Sequence, residues 1–485
     1  METIKRENKS VPAHTLTIDG INISEFKIFN NSFEDAVKIS ERLSDSIGIN
    51  LTVHEGEMVK DEHYIILDGT ELIAHKYSIT IENGNLTIKG SARSLPTAVE
   101  HFTNEMVKDN EVNLTSCSNY EGSTGKKKIY NKDQLAKLIE KVYKDPNHII
   151  IGEQTKGLHK TAIEDSINKF KNATGQMPGI IGIDLGCYGF DLPRTNEMQW
   201  SAYICDMVDY AADGGIITAS AHWENPSGNL AGHWDACRGN FGYDNSLEAY
   251  EQAFTDIITE GTKYNEFFKN ELESNARFFK ALEDNGVPII WRPLHEANGN
   301  WFWFCIGQKE FWLKSEYIVN IWHYIYDYFE NKCGLTNLYW CYGPNWSPNI
   351  NNEYGETMST TYLYPGDEYC DMVGVDWYTI GNMEIMQGEN YLALTDLSRK
   401  PGAITEFGTA GPLLAENMED QPSLYNCMDL YDNLRKLADS GYSFVYLLTW
   451  GSRWGVTPMG RGDELMKNDL CLGQAEVKAL FDSLK

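Results

Sequence analysis

The chain has 485 residues, 42% hydrophobic and 12% aromatic, which supports a large folded core and excludes a disordered polymer. Its 41 Lys and Arg face 70 Asp and Glu, and the formal net charge of −29 argues against nucleic acid or an anionic membrane as a partner. A neutral ligand suits such a surface. The 13 Trp and 27 Tyr could offer flat faces to sugar rings, although a core of this size absorbs most of them.

Residues 1–118 read as a small α+β accessory domain without chemistry. A strand-like run at 14–29 precedes a helical pattern from Phe33 to Ser46, with apolar residues at 33, 36, 37, 39 and 43. Short apolar strands at 49–53 and 64–67 follow. Residues 76–90 alternate about Asn83-Gly84, a hairpin signature, and 95–107 read as a helix. The polar stretch 119–128 reads as a linker.

From 129 to 485 the pattern becomes eight short apolar runs, at 148–152, 179–185, 215–223, 288–296, 337–343, 372–378, 402–408 and 443–451. Long amphipathic stretches such as 246–286 and 310–331 separate them. Continuous apolar strands alternating with helices describe a parallel sheet buried on both faces, here a (β/α)8 barrel. A doubly wound sheet is the competing α/β architecture, but no Gly-rich phosphate loop follows an early strand.

The ten cysteines are scattered with no CxxC pair, so they read as reduced thiols rather than a disulfide framework or a zinc pattern. The first residues show no apolar leader and no segment approaches a membrane span. A cytoplasmic protein is therefore expected, with a secreted one lacking its signal as the alternative.

In such a barrel the chemistry sits at the C-terminal strand ends. Polar and aromatic residues expected there are Glu153 and Gln154, Asp184, His222 and Trp223, His295 and Glu296, Asn345 and Trp346, Asp376 and Tyr378, Glu406, and Trp450 and Arg453. Glu296, ending strand 4, and Glu406, ending strand 7, project from opposite sides of the mouth and can flank a glycosidic bond. A separation of about 5–5.5 Å would suit retention and about 6.5–9.5 Å inversion. The charge of Glu406 should keep Glu296 protonated. Arg292, nearby in sequence, offers either carboxylate a purely structural salt bridge. His222, His233 and Cys237 match no metal-site spacing, so neither metal nor cofactor is expected. The long polar loop Trp223–Tyr243 would border the substrate and could hold Trp223 and Trp234 against it.

The segment RPLHEANGNWFWF (292–304) resembles the acid/base motif of glycoside hydrolase family 26, retaining barrel enzymes that include β-mannanases. The resemblance covers about residues 145–455 and implies Glu296 as acid/base, preceded by His295. Trp301 matches the motif's sugar-stacking residue. ITEFG implies Glu406 as nucleophile, and GVDWY implies Tyr378 as its hydrogen-bond partner, with Asp376 beside it. AHW places His222 near the reacting sugar, and TWGSRWG implies Trp450 as the floor beneath it. Ala297 departs from the Met usual in the family's mannanases and bears on substrate choice. Residues 76–102 also resemble the N-terminal domain of hexosaminidase-type glycosidases. The expected activity is double-displacement cleavage of β-1,4-mannosidic bonds in mannan, glucomannan or mannooligosaccharides. The same chemistry on mixed-linkage β-glucan or β-xylan is the alternative, and a non-catalytic sugar-binding barrel is the alternative of another class.

Overall fold

In the computed structural model the described residues are 17–484, apart from 31–33, 48–50, 55, 109–110, 113–118, 156–163, 187–194, 228–236, 238–245, 309–310, 347–357, 379–388, 409–429, 440, 452–453 and 457–460. The chain forms two compact units, 1–128 with 196–209, and 129–195 with 210–485.

The first unit contains β1 (Phe26–Asn30), α1 (Glu34–Ile47), β2 (Val53–His54), β3 (His63–Asp68), β4 (Lys76–Glu82), β5 (Asn85–Gly90), α2 (Leu95–His101) and β6 (Asn119–Ser123). Its sheet runs β6-β4-β5-β3-β1-β2. The β4–β5 hairpin turns at Asn83 (φ 51°) and Gly84 (φ 74°), the two left-handed residues that a tight hairpin of this hand requires. Alternate residues Ile79, Ile81, Leu86 and Ile88 pack with Leu43 of α1 and Leu95, Ala98 and Val99 of α2. The expected helix 95–107 is α-helical only to His101 and then widens into a π-helical turn, Phe102–Met106.

The second unit is a closed barrel. After α3 (Lys132–Tyr143) its strands are β7 (Ile149–Gln154), β8 (Ile180–Asp184), β9 (Ile216–Ser220), β10 (Ile289–Arg292), β11 (Leu338–Tyr342), β12 (Met372–Tyr378), β13 (Gly402–Gly408) and β14 (Tyr446–Thr449). Each pairs in parallel with the next, and β14 returns to β7 through Ile150↔Tyr446 and Gly152↔Leu448. Each of the eight runs read from the sequence contains a strand of this barrel. The amphipathic stretch 246–286 is two helices, Leu247–Ile257 and Lys263–Asn285. Gly261 (φ 84°) breaks it, and the Thr262 side chain caps the second helix at Asn265 N–H.

The N-terminal end of the barrel is plugged. Leu135, Leu138, Ile139 and Val142 of α3 join Val477 and Phe481 of the last helix, Gln474–Ser483, against the inward residues Ile150, Ile180, Ile216 and Ile290. With that end sealed by hydrocarbon, the opposite mouth is left for polar residues. Leu138 is fully buried. Leu138→Ala should lower stability by about 2–5 kcal/mol, read as a fall in the urea midpoint of barrel tryptophan fluorescence. An unchanged midpoint would show that α3 is not part of the barrel core.

Candidate active site

Strand β10 ends at Arg292, because Pro293 cannot continue the ladder. The expectation that Glu296 ends this strand is therefore corrected: it lies four residues beyond β10, in a turn, with φ +55°. A side chain bearing a Cβ rarely adopts that conformation. The surroundings enforce it. Glu296 N–H donates to Gly343 O at 2.8 Å, and its carbonyl accepts from Gly299 N–H at 2.9 Å and from the Cys305 thiol at 3.4 Å.

Glu406 reaches the mouth by a different device. Along β12 and β13, Val375 pairs with Ile404, yet the next pair is Asp376 with Glu406, so Thr405 is an extra residue. The same slip appears against β14, where Ile404 pairs with Leu447 and Phe407 with Thr449. This β-bulge turns two consecutive residues inward. Thr405 Oγ1 donates to Asp376 at 2.6 Å, and Glu406 shares the inward side with its partner Asp376. Gly374 makes room, since a Cβ there would lie 2.2 Å from the Thr405 methyl.

Arg292 sits between the carboxylates. Its Nη1 donates to both Asp376 oxygens at 3.0 and 3.1 Å, and its Nη2 donates to Glu406 Oε1 at 2.7 Å, all three residues being buried. Tyr378 O–H donates to Glu406 Oε2 at 3.0 Å. Among the described residues Glu296 has only neutral donors in contact, Asn345 Nδ2 at 2.5 Å on Oε1 and Trp301 Nε1 at 2.8 Å on Oε2. One oxygen from each of Glu296, Asp376 and Glu406 lies within 4.8 Å of the others. Such a cluster is close enough for a cation, and the guanidinium already supplies one.

These contacts decide where a proton goes. Burial pushes all three carboxyls above their ordinary values, and each is raised further by a neighbouring carboxylate. All three are pushed up to about 7, so contact geometry separates them: Arg292 holds Asp376 and Glu406 by direct hydrogen bonds, whereas among the described residues Glu296 has no cation in contact. Of the three, Glu296 is therefore the one best placed to hold a proton while Glu406 stays ionised.

A second polar chain lies alongside. Asp184 accepts from Ser220 Oγ at 2.8 Å and holds His222 Nδ1 at 2.6 Å, and His222 Nε2 is 3.4 Å from His295 Nε2. Burial opposes charge on both partners of the first pair. The His222 charge nonetheless keeps Asp184 well below its usual range, and Asp184 raises His222 to about 9. Burial and then the His222 charge hold His295 far below its ordinary value, so His295 is neutral and accepts from a protonated His222. Trp450 stands edge-on to His222, its ring centre 5.9 Å away.

The structure thus gathers His222, His295, Glu296, Trp301, Asp376, Tyr378 and Glu406 around one mouth, with Trp450 against His222. Trp223 is the correction. It is fully buried, donates through Nε1 to Pro293 O and packs against Phe268 and Trp291, because the residue after inward-facing His222 points to the outer layer. His233, Trp234 and Arg453 lie outside the described residues, as does most of the loop to Tyr243. Asp184 and Asn345, expected at the mouth but given no role, and Arg292, expected only as a structural salt-bridge partner, all contribute to the site. The signal for Arg292 was its place in an apolar strand, where a cation must find counter-charges.

Residues 130–446 match the glycosyl hydrolase family 26. The chain belongs to that family. A mannan endo-1,4-β-mannosidase of Bacillus subtilis (strain 168) is 28% identical over 334 residues, covering 68% of this chain and 82% of that protein. Among solved structures, a Bacillus subtilis mannanase aligns with a TM-score of 0.55 at 22% identity, over 71% of this chain and 93% of its own. A β-mannanase from a symbiotic protist of the termite Reticulitermes speratus, complexed with gluco-manno-oligosaccharide, aligns at 0.51 and 21% identity, over 72% and 95%. As a family 26 member the chain is a glycoside hydrolase.

In this family 26 chain the φ of Glu296 is separable from its carboxylate by substitution. Glu296→Gly should be more stable than Glu296→Ala by about 1 kcal/mol, reversing the usual order, because only Ala keeps the left-handed penalty. Thermal midpoints of the two variants measure this. An alanine variant as stable as the glycine one would mean that the turn relaxes once the carboxylate is gone.

Proposed function

We propose that Glu406 is the nucleophile and Glu296 the acid/base of a retaining hydrolase cleaving β-1,4-mannosidic bonds. Mannan, glucomannan and mannooligosaccharides are the substrates of this reading. The observation that carries it is the division of the cluster: two carboxylates with oxygens within 4.8 Å, one bound to Arg292 and the other to neutral donors. That spacing suits the separation of about 5–5.5 Å between carboxyl groups that retention requires better than the about 6.5–9.5 Å of inversion.

Glu406 attacks the anomeric carbon as Glu296 transfers its proton to the departing glycosidic oxygen. The glycosidic bond breaks and a glycosyl ester forms on Glu406. Glu296, now ionised, takes a proton from water, whose oxygen attacks the same carbon and releases Glu406. Asp376 and Arg292 aim the nucleophile, and Tyr378 orients its second oxygen. His222, cationic beside Asp184, and Trp450 would meet the sugar undergoing substitution, with Trp301 at the rim.

The mannan assignment is supported by the name of the Bacillus subtilis relative. The first unit is read as an accessory domain of the hexosaminidase N-terminal kind, on its hairpin-then-helix order. A reducing, cytoplasmic setting is supported by the free thiols of Cys205, Cys237, Cys305, Cys341, Cys370 and Cys471, all buried.

Glu406→Ala should abolish reducing-sugar release from glucomannan while binding persists. Undiminished hydrolysis by that variant would overturn the nucleophile assignment. Comparison of rates on mannan, mixed-linkage β-glucan and β-xylan tests the substrate, and a preference for either of the latter would replace mannan. The acid must hold its proton for glycosylation, so kcat/KM should fall as pH rises through about 7, the value to which Glu296 is raised. Glu296→Gln should remove that alkaline limb with most of the activity.

A further inference from the structure

We infer that Asn345 decides which oxygen of Glu296 carries the transferable proton, holding Oε1 as the carbonyl oxygen and leaving the proton to Oε2. The inference rests on the acid/base reading of Glu296.

A protonated carboxyl has one oxygen that accepts and one that donates. Asn345 Nδ2 lies 2.5 Å from Oε1, closer than Trp301 Nε1 lies to Oε2 at 2.8 Å. Asn345 is buried, whereas Trp301 is partly exposed. A proton on Oε1 would meet the N–H of Asn345 head-on, so it is directed to Oε2, on the side of the half-buried Trp301.

The amide is committed to this task. Among the described residues Asn345 Oδ1, which is buried, has no hydrogen-bond partner, an unfavourable state that persists because Nδ2 is aimed at the carboxyl. The main chain of Asn345 is fixed independently of its side chain. Its N–H donates to Asn298 Oδ1 at 2.8 Å, its carbonyl accepts from Asn298 Nδ2 at 2.9 Å, and it bridges to Asp376 on β12. Asn298 also donates through Nδ2 to Met358 O and accepts from Met358 N–H on its carbonyl, and it lies two residues beyond Glu296 in the same turn. The acid and the residue that orients it are thus bolted to one rigid part. Asn345 does not contact the reacting atoms in this scheme, so it is a positioning residue.

Two variants test this, Asn345→Ala and the similarly sized Asn345→Leu, both of which keep the main-chain clamp and lose the donor. Each is assayed on a mannooligosaccharide, whose leaving group needs a proton, and on a dinitrophenyl glycoside, whose leaving group does not. For both variants, kcat/KM on the oligosaccharide should fall about tenfold or more, while on the dinitrophenyl glycoside it should stay within about twofold. The alkaline limb should move to higher pH, because the donor favours the ionised carboxyl and its loss lets Glu296 keep its proton longer. Equal losses on both substrates, or none on either, would overturn the proposal. Glu296→Ala is run in parallel. If it spares the dinitrophenyl glycoside and the Asn345 variants do not, only the role of Asn345 fails. If Glu296→Ala suppresses kcat/KM alike on both substrates, the acid/base reading fails with it.

Discussion

Everything at the mouth depends on a shortage of positive charge. Three buried carboxylates share one guanidinium, and Arg292 can reach only two of them. Isolated charges in such a place are prohibitively unstable, so the unserved carboxyl is the one that takes up a proton. Acid and nucleophile need not be distinguished by residue type, since both are glutamates. They are distinguished by reach. The strand geometry that stops β10 at Arg292 and carries Glu296 past it is what puts one glutamate in contact with the cation and the other beyond it.

The two glutamates are also placed by unlike mechanical means. Glu296 stands on a left-handed turn closed by Gly343, Gly299 and Cys305. Glu406 stands on a regular strand made irregular by one extra residue. Neither device is a property of the catalytic residue itself. Both are imposed by surrounding backbone, and the plugged lower end of the barrel supplies the rigidity against which such local irregularities persist. The Asp184–His222 pair adds a second charge couple beside the cluster, hydrogen-bonded within itself, and the His222 charge also acts through space on Glu296 and Glu406.

The barrel was legible in the sequence because parallel strands buried on both faces leave uninterrupted apolar runs, as at 179–185 and 215–223, and little else does. The carboxylates were legible because charge at the end of such a run has few bland explanations. What eluded the sequence was sidedness. Trp223 follows an inward histidine and so belongs to the outer layer, yet its composition suggested a sugar platform. Glu406 faces inward only by virtue of a bulge, which leaves no mark on the seven-residue run 402–408. Arg292 was read as a threat to the functional interpretation, a salt-bridge partner that would make a glutamate structural. The structure shows that the salt bridge and the function are compatible, since it is the partition of that salt bridge that separates the two glutamates. Asn345 could be placed near the mouth, but the direction of an amide depends on Asn298, a contact across 47 positions of chain.

The bulge at Thr405 has a consequence for how this strand could change over generations. Side-chain sidedness in a strand alternates with residue count, so the orientation of Glu406 is set by how many residues lie between Ile404 and Phe407 as much as by what they are. Substitutions there can be graded in effect. Loss of the bulge at unchanged length cannot: a regular ladder through all of Ile404–Phe407 would turn Glu406 to the outer face at a stroke, whereas removal of Thr405 would leave the glutamate directly after Ile404 and still opposite Asp376. The strand is thus more sensitive to its register than to its letters.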